Sequence, residues 1–290
     1  MDTHPTTTAQ GMPRAAAFAA RYGMAAVAPP GAAGDGAAWN ETVALLLSHR
    51  SVRGYRPDAP VPEGTLETLV AAAQSAATSS NLQTWSVVAV DGPAAKAELA
   101  RIANGQRHIE ECPLFLVFLA DLSRLARLGE QEGAALEGLP YLETFMVAVI
   151  DAALAAQNAV VAAEALGLST VYIGALRNRP EEVAALLGLP EGAMAVFGLC
   201  VGYPKPGAEG EVKPRLPQAM VLHRDRYRAA AEEPALRAAY DATLTGFSER
   251  VGMGAVDWTR RAVARVGSIR ALSGRDRMRA ALSALGFPLR

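Results

Sequence analysis

The sequence predicts an α+β fold, with helices packed on one mixed sheet. Three observations lead there. Helical and strand-like segments follow one another without a regular strand–helix–strand alternation. Leu114–Ala120 is an unbroken apolar run of strand length, the pattern of a central strand buried on both faces. Residues 141–166 read as one long helix, apolar almost all round, which must be buried in the core or against a second subunit. A Rossmann domain is disfavoured, and neither G-x-G-x-x-G nor G-x-x-x-x-G-K-[ST] is present.

The elements follow in order. Residues 1–38 form an extension rich in Ala, Gly and Pro. Arg14–Tyr22 suits a short helix, and Pro29-Pro30-Gly31 with Gly34-Asp35-Gly36 reads as a flexible linker. Arg21 ends the Ala-rich run after Arg14, leaving it too short for the apolar region of a signal peptide. The extension is therefore read as dispensable or partner-wrapping. The ordered core, residues 39–222, opens with a helix at Trp39–His49, where Val43, Leu46 and Leu47 fall at helical spacing. A second helix is expected at Pro62–Thr78, a strand at Trp85–Val90 and helix at Glu98–Ala103. After the long helix, Gly167 is a suitable helix stop. Thr170–Ile173 is a short strand, Pro180–Leu187 a helix with proline in its first turn, and Ala193–Val201 a core strand. Pro204, Pro206 and Pro214 mark a connecting loop, and residues 223–290 read as a helical region completing the same domain.

Charge excludes some functions. In 290 residues, 28 Lys+Arg face 29 Asp+Glu, a net charge of −1, which removes the simplest case for a nucleic-acid binder. The most apolar stretch, Thr144–Ala163, is interrupted by Asp151, Gln157 and Asn158, so no membrane span is expected. Residues 224–290 hold 13 Arg against 7 acidic residues. This basic tail is either the solvated face of C-terminal helices or an attraction for an anionic substrate such as a phosphorylated nucleotide. Cys112 and Cys200 sit in apolar surroundings and read as buried thiols in a reducing cytoplasm.

Five segments have chemical potential. His49-Arg50-Ser51-Val52-Arg53 offers two guanidiniums and a hydroxyl to a phosphate or polyol chain, although spacing alone favours a plain helix end with cations on its dipole. Lys213-Pro214-Arg215 places two cations in a proline-stiffened loop, which is either an anion clamp or an ordinary surface loop. Tyr172-Ile173-Gly174-Ala175 ends a strand with small residues, allowing a flat ligand to approach the backbone or simply forming a turn. Thr78–Trp85 supplies hydroxyls and amides, and Asn104–His108 is a polar cluster in an apolar region. The four histidines show no metal-ligand spacing, and no G-x-S-x-G elbow exists. Phosphate grips and amides without acid–base machinery suggest a bound cofactor that carries the chemistry.

Taken in register, His49–Arg53, Ser79–Trp85, Gly105–His108, Gln157-Asn158, Tyr172–Asn178, Phe197–Gly202 and Lys213–Pro217 resemble the flavin-dependent nitroreductases, specifically their NADPH-preferring group. The resemblance runs from about Trp39 to Leu222, with a weaker tail to Val266. It implies a mainly antiparallel sheet flanked by helices, a domain-swapped homodimer, and FMN at the dimer interface. By the same resemblance, His49, Arg50, Ser51 and Arg53 hold the phosphate and ribityl chain, and Lys213 and Arg215 complete the grip. Thr78 and Gln106 bond the flavin side or ribityl chain, Asn81 lies at the pocket, and Tyr172, Ile173, Gly174 and Ala175 line the ring.

The implied activity is ping-pong transfer from NADPH, with NADH possible, to FMN and then to nitroaromatics, quinones or similar planar acceptors. One alternative is a flavin reductase supplying a partner enzyme. Another is a flavin- or nucleotide-binding regulatory protein without turnover. Three departures stand out. Asn81 replaces an aromatic residue of the close relatives, Ala175 replaces a glycine, and only Arg250 remains of the arginines expected before Trp258. Arg250 is the candidate contact for the NADPH 2′-phosphate, with a surface helix arginine as the alternative.

Overall fold

A computed structural model of the chain describes residues 12–23, 39–227 and 231–290. The linker expected at residues 29–36 lies outside them. The described residues form two compact units: one holds those up to Arg50 and those within Gly210–Ala271, the other Ser51–Glu209 with Leu272–Arg290.

The larger unit is built on four strands, β1 (Trp85–Ala89), β2 (Leu114–Asp121), β3 (Ser169–Ile173) and β4 (Ala193–Gly202). Their order is β1-β2-β4-β3, and every neighbouring pair is antiparallel. A single parallel bridge, Ser51 to Thr170, adjoins β3 and is the only mixed feature among the described residues. All of β2 is buried. Successive side chains of a strand point to opposite faces, and here both faces are covered. Leu114, Leu116 and Phe118 join one cluster with Leu69, Ala155, Ala156, Ala159 and Ala163. Phe115, Val117 and Leu119 join another with Leu99, Ile102, Ile109 and Val183. The first cluster packs α3 (Thr65–Gln74) and α7 (Leu142–Ala165) on the sheet; the second packs α4 (Pro93–Ile102), α5 (His108–Glu111) and α8 (Pro180–Leu187). Gly198 of β4 is required by packing, because a β-carbon there would lie 2.4 Å from the Phe115 ring.

By length and composition α7 could cross a membrane. Its alanine face instead lies on the sheet, where small side chains let the helix approach closely. Its other side carries Leu142, Met146, Ile150 and Leu154, each more than 40% exposed. Two further helices, α5 and α6 (Ser123–Glu132), were not expected from the sequence. The C-terminal α11 (Met278–Ala284) places Leu282, followed by Phe287, in a third cluster with Ala148 and Met194.

The smaller unit holds α1 (Arg14–Tyr22), α2 (Glu41–Ser48), α9 (Glu233–Arg250) and α10 (Trp258–Val266). The α1 bounds are those expected from the sequence. Asn40 caps α2, its side chain accepting from Val43 N at 2.9 Å, and Asp257 caps α10 by accepting from Arg260 N. Tyr240, Leu244 and Phe247 of α9 form a small core with Leu216, Val251 and Trp258. Phe18 of α1 packs against Trp39 at 6.3 Å between ring centroids.

Candidate functional site

The residues singled out from the sequence divide between the two units. In the smaller unit, His49 is the C-cap of α2, so the helix-end reading is correct at this residue. Arg50 follows directly, with Nη1 3.4 Å from Ser48 O. Arg215 donates from its side chain to Lys213 O at 3.2 Å, and Tyr240 Oη donates to Pro214 O at 3.0 Å. One residue joins these segments. The Arg21 side chain is 6% exposed and donates to Leu47 O, His49 O and Lys213 O. Arg21 O accepts from Arg215 N at 2.9 Å. The backbones of the His49–Arg50 and Lys213–Arg215 segments therefore meet around one buried guanidinium. Lys213 Nζ and the Arg250 guanidinium both lie over the Phe247 ring, at 5.9 and 6.0 Å from its centroid. Arg250 also pairs with Glu211 at 3.3 Å. Arg250 and Lys213 thus share the Phe247 ring.

In the larger unit, Ser51 bridges Thr170, and Val52 N donates to Thr170 O at 3.0 Å, so this segment runs along β3. β3 leads through Tyr172 and Ile173 to Gly174 and Ala175, which open a short 3-10 turn. A β-carbon on Gly174 would lie 3.3 Å from the Arg177 guanidinium. The Tyr172 ring packs edge-on against Phe197 at 5.0 Å, and burial raises its phenol pKa. Gln106, half-buried, follows Asn104 and Gly105, both in the left-handed region at φ 63° and 74°. The exposed Arg53 acts electrostatically on His108: burial lowers the imidazole pKa first, the Arg53 charge lowers it further, and Glu111 opposes both. His108 Nε2 is buried and has no hydrogen-bond partner among the described residues. A buried polar atom in that position is normally satisfied, so it marks a place for a polar ligand atom.

Thr78 and Asn81 lie on a loop with an unusual backbone. Ser80, Asn81 and Gln83 all have φ between 50° and 56°, a conformation non-glycine residues rarely adopt. Asp151 of α7, 2% exposed, fixes the loop. Its carboxylate accepts from Thr78 Oγ1 at 2.7 Å, Ser79 N at 3.2 Å, Thr84 N at 3.1 Å and Thr84 Oγ1 at 3.0 Å. Arg124 adds a bond from Nη1 to Gln83 O at 2.8 Å. Asn81 itself is exposed at the tip.

Two residues that organise these groups have no site role in the sequence reading, Arg21 and Asp151. Arg21 ends an apolar run there, and Asp151 interrupts an apolar helix. A charge kept within an otherwise apolar segment was the available signal.

Residues 46–203 of the chain match the model of the nitroreductase family, and residues 213–290 match that of the nitroreductase family C-terminal domain. It is 41% identical over 195 residues to an FMN reductase (NADPH) of Bacillus subtilis, covering 67% of this chain and 77% of that protein. It is 37% identical over 206 residues to an oxygen-insensitive NADPH nitroreductase of Salmonella typhimurium, covering 71% and 82%. Among solved structures, NfrA2 of Bacillus megaterium superposes with a TM-score of 0.80 at 36% identity, over 87% of this chain and all of that one. With the sheet, the cation-bearing segments and both family models in agreement, the chain belongs to the nitroreductase family.

Proposed function

We propose that the chain is an FMN-dependent NAD(P)H oxidoreductase that reduces nitroaromatics, quinones or similar planar acceptors. The observation that carries this is the meeting of His49–Arg50 with Lys213–Arg215 around Arg21, at the positions a flavin phosphate grip requires by family resemblance. The donor set fits the cofactor. Guanidiniums and an ammonium suit a phosphate. Ser51, Arg53, Thr78 and Gln106 suit a polyol chain or ring edge, and the unpartnered His108 Nε2 fits one further polar atom. Gly174 and the part-buried Tyr172 are the groups at the end of β3 that suit a flat ring, whereas the Ile173 and Ala175 side chains are buried in the core, leaving their backbone for it.

Bound FMN supplies the hydride chemistry, accepting from a reduced nicotinamide and passing two electrons to the acceptor. The chain's residues then bind and orient. Tyr172, its pKa raised by burial, stays protonated near neutral pH, where its hydroxyl donates to Gln157 Oε1 at 3.4 Å. Arg250 is assigned to the 2′-phosphate of NADPH, with NADH as a weaker alternative donor. The exposed apolar row Leu142, Met146, Ile150 and Leu154 supports a homodimer, since it repeats every four residues along one helix face. Two free buried thiols, Cys112 and Cys200, fit a reducing compartment, and we place the protein in the cytoplasm.

The name of the Bacillus relative favours a second reading, a reductase that delivers reduced flavin to another enzyme. The ratio of kcat/KM for a nitroaromatic to that for free FMN, at saturating NADPH, separates the two. The proposed function expects the nitroaromatic to be preferred. A clear preference for free FMN establishes the second reading instead.

A further inference from the structure

We infer that Arg21 is a positioning residue for the cofactor phosphate, so that the helix ahead of the family-matched region belongs to the binding machinery. The inference rests on the FMN reading above. The family model begins at residue 46, whereas α1 ends at Tyr22. No correspondence with the family assigns this helix a role, and its sequence reads as part of an extension.

The geometry of Arg21 carries the argument. A guanidinium presents five N–H donors in a fixed fork. Nε and Nη2 donate to Leu47 O at 3.1 and 2.7 Å, and Nη2 also donates to His49 O at 2.7 Å. Nη1 donates to Lys213 O at 2.9 Å. The backbone carbonyl of the same residue accepts from Arg215 N at 2.9 Å. The first two acceptors belong to the last turn and cap of α2, where carbonyls lack helical partners and carry partial negative charge. One side chain therefore satisfies the end of α2 and ties it to the loop that bears Lys213 and Arg215.

The helix bearing Arg21 is itself seated. Ala17 is buried, and Phe18 packs on Trp39. Gly23 closes against Thr243 of α9, where a β-carbon would meet the threonine methyl at 2.8 Å. Tyr240 holds Pro214 from another direction. With the backbone fixed at residues 47–49 and 213–215, Arg50, Lys213 and Arg215 are arranged before an anion arrives. A site built in advance loses less entropy on binding. The buried cation also adds positive potential at a place where phosphate is to be held. Removing the side chain takes away its bonds to Leu47 O, His49 O and Lys213 O and lets the two segments part.

The test uses the full-length chain, with FMN and riboflavin titrated separately into the apoprotein by fluorescence quenching. The two flavins differ only in the phosphate. Loss of a phosphate-positioning residue therefore weakens FMN alone, while a general loss of fold weakens both. Arg21→Ala is expected to raise the FMN Kd by about tenfold, with the riboflavin Kd held within about twofold. Arg21→Lys, which keeps the charge without the fork, is expected to fall between wild type and Arg21→Ala. If Arg21→Ala does not fold, Phe18→Ala loosens the same helix and is read in the same way. Equal weakening of both flavins, or no change in either, overturns the inference. A wild-type chain that does not prefer FMN to riboflavin overturns the flavin-phosphate reading and this inference together. A wild-type preference that survives Arg21→Ala overturns the inference alone.

Discussion

At Asp151 one buried carboxylate takes four hydrogen bonds from the Thr78–Thr84 loop. Asp151→Ala strands those donors, of which Thr84 is buried. It should cost about 3 kcal/mol, because buried polar groups left unpaired lose their full hydration. The melting temperature should fall by roughly 6–12 °C in thermal denaturation; an unchanged value would show the loop is held by something else. Arg250 gives a functional counterpart on the surface. Arg250→Ala removes a charged contact and should raise the KM for NADPH by about tenfold. The KM for NADH should stay nearly constant, and equal effects on both would remove Arg250 from the 2′-phosphate. Single residues also mark the limit of sequence reading. Asp151 is the one charged residue from Thr144 to Ala163, which makes it conspicuous in the sequence. Its partner Thr84 is 67 positions away, and only the fold reveals that distance closed. The same holds for Arg21 and Lys213, 192 positions apart.

Among the elements, α7 was the most legible. Its length, its Ala-rich composition and its glycine stop identify it, and Gly167 adopts φ +78° after the helix. Periodicity also required that both sides be covered, yet one side of the helix faces outward along Leu142, Met146, Ile150 and Leu154. The proposed dimer covers this row. Ile150→Asp should leave the monomer folded, because the side chain is about half exposed. It should convert the dimer to monomer in sedimentation velocity through the cost of burying an unpaired charge. A dimer that survives Ile150→Asp would place the interface elsewhere. The continuous run of β2 was legible for a similar reason, since burial on both faces erases alternation. By contrast α6 escaped notice. Its sequence SRLARLGEQE is polar over most of its length, and its apolar stripe, Leu125, Ala126 and Gly129 after Leu122, spans only two turns, too short to stand out.

For the molecule as a whole, the family was readable because seven short motifs keep their order, each of which is ordinary alone. The strand order and the division at Arg50 and Gly210 were not readable, since both depend on contacts between distant segments. The proposed function requires a bound flavin that a nicotinamide can reduce. The direct measurement is the visible absorption spectrum of the purified protein, loaded with FMN and desalted, before and after NADPH is added without oxygen. Flavin bands that remain through desalting and bleach with NADPH are the expected result. A protein that retains no flavin bands after loading and desalting would be the contrary result, because the proposed grip of His49, Arg50, Lys213 and Arg215 would then hold no cofactor.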